Sequence, residues 1–298
     1  MGGTSADEAL GDIEIDPAQY SYVYAAVNAG YTVLTYDRLS VGLSEKPDAY
    51  TVVQGPLELE ILRVITESVR NGSLMTSLVD PSKTSLTSPP VQLEAFDKVV
   101  HVGHSYGSFL TAALLTAYGN LSSAAIITGF IFTTEPTLNG PTVAGGFEYA
   151  ASNNPALFGD RGGGYIVPAT VSNLQTAFYH RDNASDPAGF TEELLAYGEF
   201  IKQPLTVAEW LSIRGLLAFG YAPEFEGPVQ FFEGEHDILL CGGDCKNDYD
   251  PTMLKMLYPN ATDIDVYIQP GAGHGLTLHR NASAGYTVML DWLDRNGL

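Results

Sequence analysis

The chain has 298 residues, with 14 Lys+Arg against 35 Asp+Glu, a formal charge of -21 and two cysteines. A hydrophobic fraction of 45% with 11% aromatics excludes disorder, and so acidic a surface repels the phosphates of nucleic acids and of anionic membranes. No stretch approaches the roughly 20 apolar residues of a membrane span, and the length suits one large domain or two small ones.

Residues 17–29 are predicted as a helix with Pro17 near its first turn, and residues 31–37 (YTVLTYD), β-branched and aromatic, as a buried strand. Pro56 opens a helix in which Leu57, Ile61, Leu62, Ile65 and Val69 share a face, and Gly72 lies just past its end. Residues 73–92, rich in Ser, Thr and Pro, read as a surface loop. Residues 98–103 (KVVHVG) read as a central strand leading into a helix from Ser105, and 124–132 (AAIITGFIF) as another strand.

From 135 to 225 the pattern turns to short helical segments near 170–179, 191–202 and 206–218, the last opened by a Thr206/Glu209 capping box. Strand character returns at 228–235 and 263–269, and a helix at 282–295 places Ala282, Tyr286, Met289 and Leu293 on one face. Alternating strands and helices predict an α/β fold with a mostly parallel sheet. The expected organisation is a core at 1–134, a helical cap at 135–225 and the rest of the core at 226–298, without internal repeats.

Gly103-His104-Ser105-Tyr106-Gly107 fits G-x-S-x-G, and its place between a strand and a helix counts for more than the five letters. The flanking glycines let a sharp turn close, the helix points its positive end at the serine, and the Tyr106 backbone N–H can face a developing oxyanion. Such a nucleophile needs a base and an orienting acid. His274 follows the last strand in Pro270-Gly-Ala-Gly-His274, and Asp237 follows the preceding one in Gly234-Glu-His-Asp237. Parallel strands bring their C-terminal ends to one edge of the sheet, so Ser105, Asp237 and His274 converge there. Among competitors, His279 reads as a surface or packing residue, His236 as pointing away from the site, and Glu135 as an alternative acid. Gly162-Gly-Gly164 lacks the preceding strand and following lysine of a phosphate loop, and the acidic residues at 7–16 read as a solvated surface.

Five Asn-x-Ser/Thr sequons, at Asn71, Asn120, Asn183, Asn260 and Asn281, suggest a glycoprotein of the secretory pathway. Cys241 and Cys245 are either a disulfide or half of a metal site, and the lack of further nearby Cys or His ligands favours the disulfide. Residues 1–19, however, lack the basic start and apolar run of a signal peptide.

Together these segments resemble the α/β-hydrolases, and most of all secreted serine hydrolases of fungi. The likeness rests on Tyr20-Ser-Tyr-Val23, the run from Ala29 to Ser44, Gly103 to Ser108, Gly234 to Asp237 with Cys241 and Cys245, and Gly271 to His274. It implies a hydrolytic triad of Ser105, His274 and Asp237; no metal or organic cofactor is expected, a cap shaping an apolar pocket favours a small or medium carboxylic ester, and the acidic balance bars a nucleic-acid partner. A serine nucleophile departs from the epoxide hydrolases and haloalkane dehalogenases of this fold, which use aspartate. Family members usually read D-R-x-G-x-G-x-S where Asp37 to Ser44 stand, so Ser40 replaces a glycine. They also carry three strands ahead of the one resembling 31–37, the third ending in a His-Gly motif that supplies a second oxyanion N–H. Met1-Gly-Gly-Thr stands where that motif is expected, which makes Gly3 a candidate donor. The expectation is that the chain as given starts late, without its signal peptide and first strands. The alternatives are a cap-bearing serine peptidase, with Glu192, Glu193 or Glu199 anchoring a substrate amine, and a binding protein impaired by the missing oxyanion segment.

Overall fold

The computed structural model describes residues 15–74, 94–132, 146–179, 189–217 and 220–298. Two short helices, α1 (Pro17–Tyr20) and α2 (Tyr22–Asn28), replace the single one expected over 17–29. Ser21 divides them because its hydroxyl accepts the Tyr24 N–H at 3.0 Å, and this side-chain cap starts a new helix. Helix α3 (Gly55–Asn71) ends as expected at Gly72, whose φ of 72° is a left-handed stop.

Among the described residues the main sheet holds four parallel strands in the order β1 (Val100–His104), β2 (Ala124–Thr128), β6 (Val229–Gly234) and β7 (Ile264–Gln269). Helix α4 (Tyr106–Tyr118) follows β1 directly. Strands β2 and β6 are buried along their whole length, because helices cover both faces of the sheet. Alternate side chains then serve two cores. Ala125, Ile127, Val229 and Phe231 pack with α3 and α4, while Ala124, Ile126 and Phe232 pack with α2 and the closing helix. Register aligns the strand ends: His104 faces Thr128, Thr128 faces Phe232, and Gly234 faces Gln269.

Residues 31–37 are half-buried or exposed and belong to neither described sheet, which corrects the expected buried strand. A cavity of about 550 Å³ is lined by residues 31–36 and by residues 98–103 around β1. The strand expected at 124–132 stops at Thr128, where Gly129 turns to a φ of 56°.

The insertion also departs from an all-helical reading. It contains a three-stranded antiparallel sheet of β3 (Phe147–Tyr149), β4 (Tyr165–Pro168) and β5 (Leu205–Thr206), beside α5 (Val171–Phe178), α6 (Glu192–Ile201) and α7 (Val207–Leu217). These strands have two to four residues, too few for a period-two pattern to stand out in sequence. The Thr206/Glu209 capping box does form, with the Thr206 hydroxyl accepting the Glu209 N–H at 3.1 Å and Glu209 Oε2 accepting the Thr206 N–H at 2.6 Å. Helix α8 (Pro251–Leu257), capped by Asp250, was not read from sequence, and α9 (Ala282–Arg295) matches its expected span.

One buried group in this core makes stability depend on pH. His101 on β1 sits between Thr66 and Ser122, 2.9 Å from each hydroxyl, and burial, helped by the Arg70 charge, lowers its pKa to about 4. The unfolded chain binds this proton near pH 6.5, so between the two values it holds more protons than the folded chain. The contribution is therefore complete above about pH 6.5 and is lost as pH falls towards 4, by about 3 kcal/mol at most. Replacing His101 by Asn is expected to flatten the melting temperature across that window. Calorimetry of both proteins from pH 4 to 7 checks it, and parallel pH dependences would refute it.

Candidate active site

Ser105 occupies the first position after β1, with φ 50° and ψ -118°. A non-glycine residue at positive φ is strained, and a hydroxyl lifted out of the sheet edge on such a turn is the expected use of that strain. The turn requires Gly103, since a Cβ there would lie 2.6 Å from both the Gly107 carbonyl oxygen and Thr111 Oγ1. Tyr106 is the first residue of α4, so its N–H has no intrahelical acceptor and points out of a positive helix end.

The three residues expected to converge do so. His274 Nε2 is 2.8 Å from Ser105 Oγ, and His274 Nδ1 hydrogen-bonds Asp237 Oδ2. With the Nδ1 proton donated to the carboxylate, Nε2 is left to accept from the serine. Ser105 is 6% exposed, His274 1% and Asp237 not at all. Asp237 is fixed by a second role: its Oδ1 caps the turn Ile238–Cys241, accepting the N–H groups of Leu239 and Leu240 at 2.8 and 3.0 Å. Gly234 allows the loops to meet, because a Cβ there would lie 2.3 Å from the Gly273 carbonyl oxygen.

Several supporting residues escaped the sequence reading. His279, expected on the surface or in packing, is buried and holds the loop that carries His274: its Nε2 accepts the Gly273 N–H at 3.0 Å and its Nδ1 donates to the Gly275 carbonyl at 2.9 Å. His104, the variable residue of the motif, lies 5.0 Å from the His274 ring between centroids and bonds Thr128 Oγ1 through Nδ1. Burial and the nearby His274 hold its pKa well below the usual histidine value, so it is neutral. From the insertion, the Phe178 ring lies 5.5 Å from that of His274, and its carbonyl accepts the Gly275 N–H at 2.7 Å.

A buried ion cluster stands behind Tyr106. Arg38 Nη1 is 2.6 Å from Glu58 Oε1 on α3 and 2.5 Å from Glu209 Oε1 on α7, and its guanidinium lies 4.7 Å over the Tyr106 ring. Nearby Ser40, standing where a glycine was expected, does take a glycine-like φ of 81°.

His236 bonds the Gly243 carbonyl at 3.1 Å, away from the serine as expected. Glu135, Gly3 and Asn183 lie outside the described residues. The structure brings the Cys241 and Cys245 sulfurs together, as the expected disulfide requires, and with Asp248 the two cysteines are the one group among the described residues whose atoms are close enough to hold a metal ion. The Cys245 N–H donates to the Glu235 carbonyl at 3.0 Å and the Gly243 N–H to that of Asp237 at 2.9 Å, so the bridged loop holds the acid. Asn71, Asn120 and Asn260 are exposed, but the Asn260 amide nitrogen donates to the Pro223 carbonyl at 2.8 Å, and that of Asn281 to the Pro270 carbonyl at 2.7 Å while its oxygen accepts from Gln269. Among the described residues, no helix is long and apolar enough to cross a membrane.

A parallel sheet whose strand ends carry a strained serine, a histidine and an acid in one hydrogen-bonded line defines the hydrolase class of α/β proteins. Residues 15–284 match the alpha/beta hydrolase family, and the chain belongs to it. It is similar in structure to a tomato methylketone synthase I variant complexed with beta-ketoheptanoate, at 15% identity and a TM-score of 0.57 over 94% of this chain and 92% of that one. A methylesterase from Arabidopsis aligns at 15% identity and a TM-score of 0.55 over 93% of each chain. A monoacylglycerol lipase from Paleococcus ferrophilus aligns at 14% and 0.54 over 96% and 91%. No curated protein sequence matches the chain. These likenesses concern the fold, and the variety of the three names illustrates how little a fold alone says about chemistry.

Proposed function

We propose that the protein is a serine hydrolase of small or medium carboxylic esters, with Ser105 as nucleophile, His274 as base and Asp237 as its orienting acid. The observation that carries this is the unbroken line from Ser105 Oγ through His274 to Asp237. His274 Nε2 takes the Ser105 proton as Oγ attacks the ester carbonyl, and the Tyr106 N–H faces the resulting oxyanion. The tetrahedral intermediate expels the alkoxide, which receives that proton from His274. A water then gives a proton to His274 and attacks the acyl group, releasing the acid and restoring Ser105. Gly3 is the proposed second oxyanion donor.

The amine-anchoring peptidase reading is weaker. Glu192 and Glu193 are exposed on the first turn of α6, and Glu199 Oε1 is paired with Lys202 at 2.5 Å. The bridged cysteines and the exposed Asn71 and Asn120 support an extracellular or secretory setting as part of the same proposal.

A fluorophosphonate probe is expected to label Ser105 alone, and nitrophenyl esters of short and medium acids are expected to turn over faster than aminoacyl anilides. A well-folded sample without an adduct would sink the proposal, and faster anilide cleavage would replace ester with amide as the substrate.

A further inference from the structure

A second carboxyl group lies behind the triad acid. Glu233, the penultimate residue of β6, is completely buried, as is Asp237. Its Oε1 accepts the Gly234 N–H at 2.8 Å, the Phe130 N–H also donates to the carboxyl, and the Tyr249 hydroxyl is 3.5 Å from Oε2. That hydroxyl donates its proton to the Phe130 carbonyl at 2.6 Å. The remaining neighbour of Glu233 is the Asp237 side chain itself, within hydrogen-bond reach of its carboxyl.

Two carboxyl groups in contact inside a protein cannot both be ionised without a cation between them. The groups facing Glu233 are Asp237 and Tyr249, with Asp248 beyond the tyrosine, and none is a cation. The nearest cationic group is a protonated His274, on the far side of Asp237. Donor counts decide which carboxyl keeps the proton. Asp237 accepts from Leu239, Leu240 and His274, all suited to a carboxylate, whereas Glu233 has two backbone donors and an anion for a neighbour. Burial and the Asp237 charge accordingly push its pKa well above the ordinary glutamate value.

We propose that Glu233 is a positioning residue of the triad: protonated in the interior, it donates a hydrogen bond to the Asp237 carboxylate and holds that group ionised and aimed at His274. The proton stays on Glu233 throughout turnover. It spreads part of the Asp237 charge away from His274, so the imidazole is less basic than a free carboxylate partner would make it. At alkaline pH, loss of this proton places two anions side by side and disorders the acid. Glu233 thus sets the basicity of His274 from one residue further back.

This inference rests on the triad assigned above, but its test needs no turnover. The His274 imidazole resonance is titrated by NMR in the parent protein, in Glu233→Gln, which keeps a neutral donor, and in Glu233→Leu, which has none. The His274 midpoint is expected to move by less than about 0.3 units in Glu233→Gln and to rise by about half a unit to one unit in Glu233→Leu. If Glu233 is instead ionised, Glu233→Gln removes a negative charge and lowers that midpoint by about one unit or more, which overturns the proposal. Equal midpoints in all three proteins overturn it too. Infrared spectroscopy provides a check that does not depend on Glu233→Leu folding. The carbonyl stretch of a protonated carboxylic acid is expected in the parent at neutral pH and absent from Glu233→Gln, and its absence from the parent refutes the proposal. The expected shifts without any hydrolysis would leave Glu233 in place and remove only the ester reading.

Discussion

Ser105→Ala and His274→Ala are each expected to lower kcat/KM for the best nitrophenyl ester by about 10⁴-fold or more, and the double variant by little beyond either alone. The non-additivity is the informative part. Ser105 and His274 meet at 2.8 Å, and neither has a proton-transfer role without the other, so the second removal takes away nothing still working. Independent contributions would instead multiply, and a product of the two losses would refute the assignment. Asp237→Asn is expected to cost about as much, for a different reason. An amide nitrogen facing His274 Nδ1 reverses the imidazole tautomer, so Nε2 carries a proton and cannot accept one from Ser105. The asparagine oxygen can still cap Leu239 and Leu240, so its melting temperature should stay near that of the parent. Asp237→Ala loses that cap as well and should melt lower. Kinetics and calorimetry on the two Asp237 variants separate the chemical from the structural share of that residue.

What could be read from the amino-acid chain follows from the distance over which each feature is encoded. The serine turn is local: an apolar run, two glycines and a helical stretch specify it within about 15 residues, the span of one element pair. Asp237 and His274 are remote from Ser105, yet parallel strands bring their ends together, so chain order was enough to place them. His279, Glu233 and Arg38 were missed because nothing near them in sequence names their partners. His279 reads as a surface or packing residue until the loop at 273–275 folds over it, and Glu233 looks like a strand residue until the turn after β6 brings Asp237 back beside it. Residues 31–37 fail in the opposite sense. Their local pattern favours extended backbone, but a strand also needs a neighbour at about 4.8 Å, and among the described strands β1 pairs with β2 alone. Pattern reports the preference of a segment; pairing belongs to the whole sheet.

The largest loss of stability is expected from Arg38→Met. Arg38 is 2% exposed and is the cation between Glu58 and Glu209, both buried. Methionine fills much of the same volume, so packing changes little, but two carboxylates remain in a site that favours neither as an ion. Removing one partner of such a cluster typically costs 3–5 kcal/mol, or on the order of 10 °C in melting temperature for a chain of this size. The effect should reach the site as well. The guanidinium lies over the Tyr106 ring and ties α3 to α7, so its loss frees both the residue proposed to present the oxyanion N–H and the clamp on the insertion. A fall in kcat with a smaller change in KM is expected in whatever fraction remains folded. Charge and packing are separated by the triple variant Arg38→Met, Glu58→Gln, Glu209→Gln. If uncompensated charge is the cause, neutralising both acids recovers most of the lost melting temperature, because a neutral cluster of the same shape carries no ionic penalty. Glutamine at 209 keeps a side-chain oxygen to accept the Thr206 N–H, so the capping box survives in the triple variant. A triple variant that melts as low as Arg38→Met alone would assign the loss to the Arg38 side chain's own packing against Tyr106, and the ion cluster would then be a passive feature of the core.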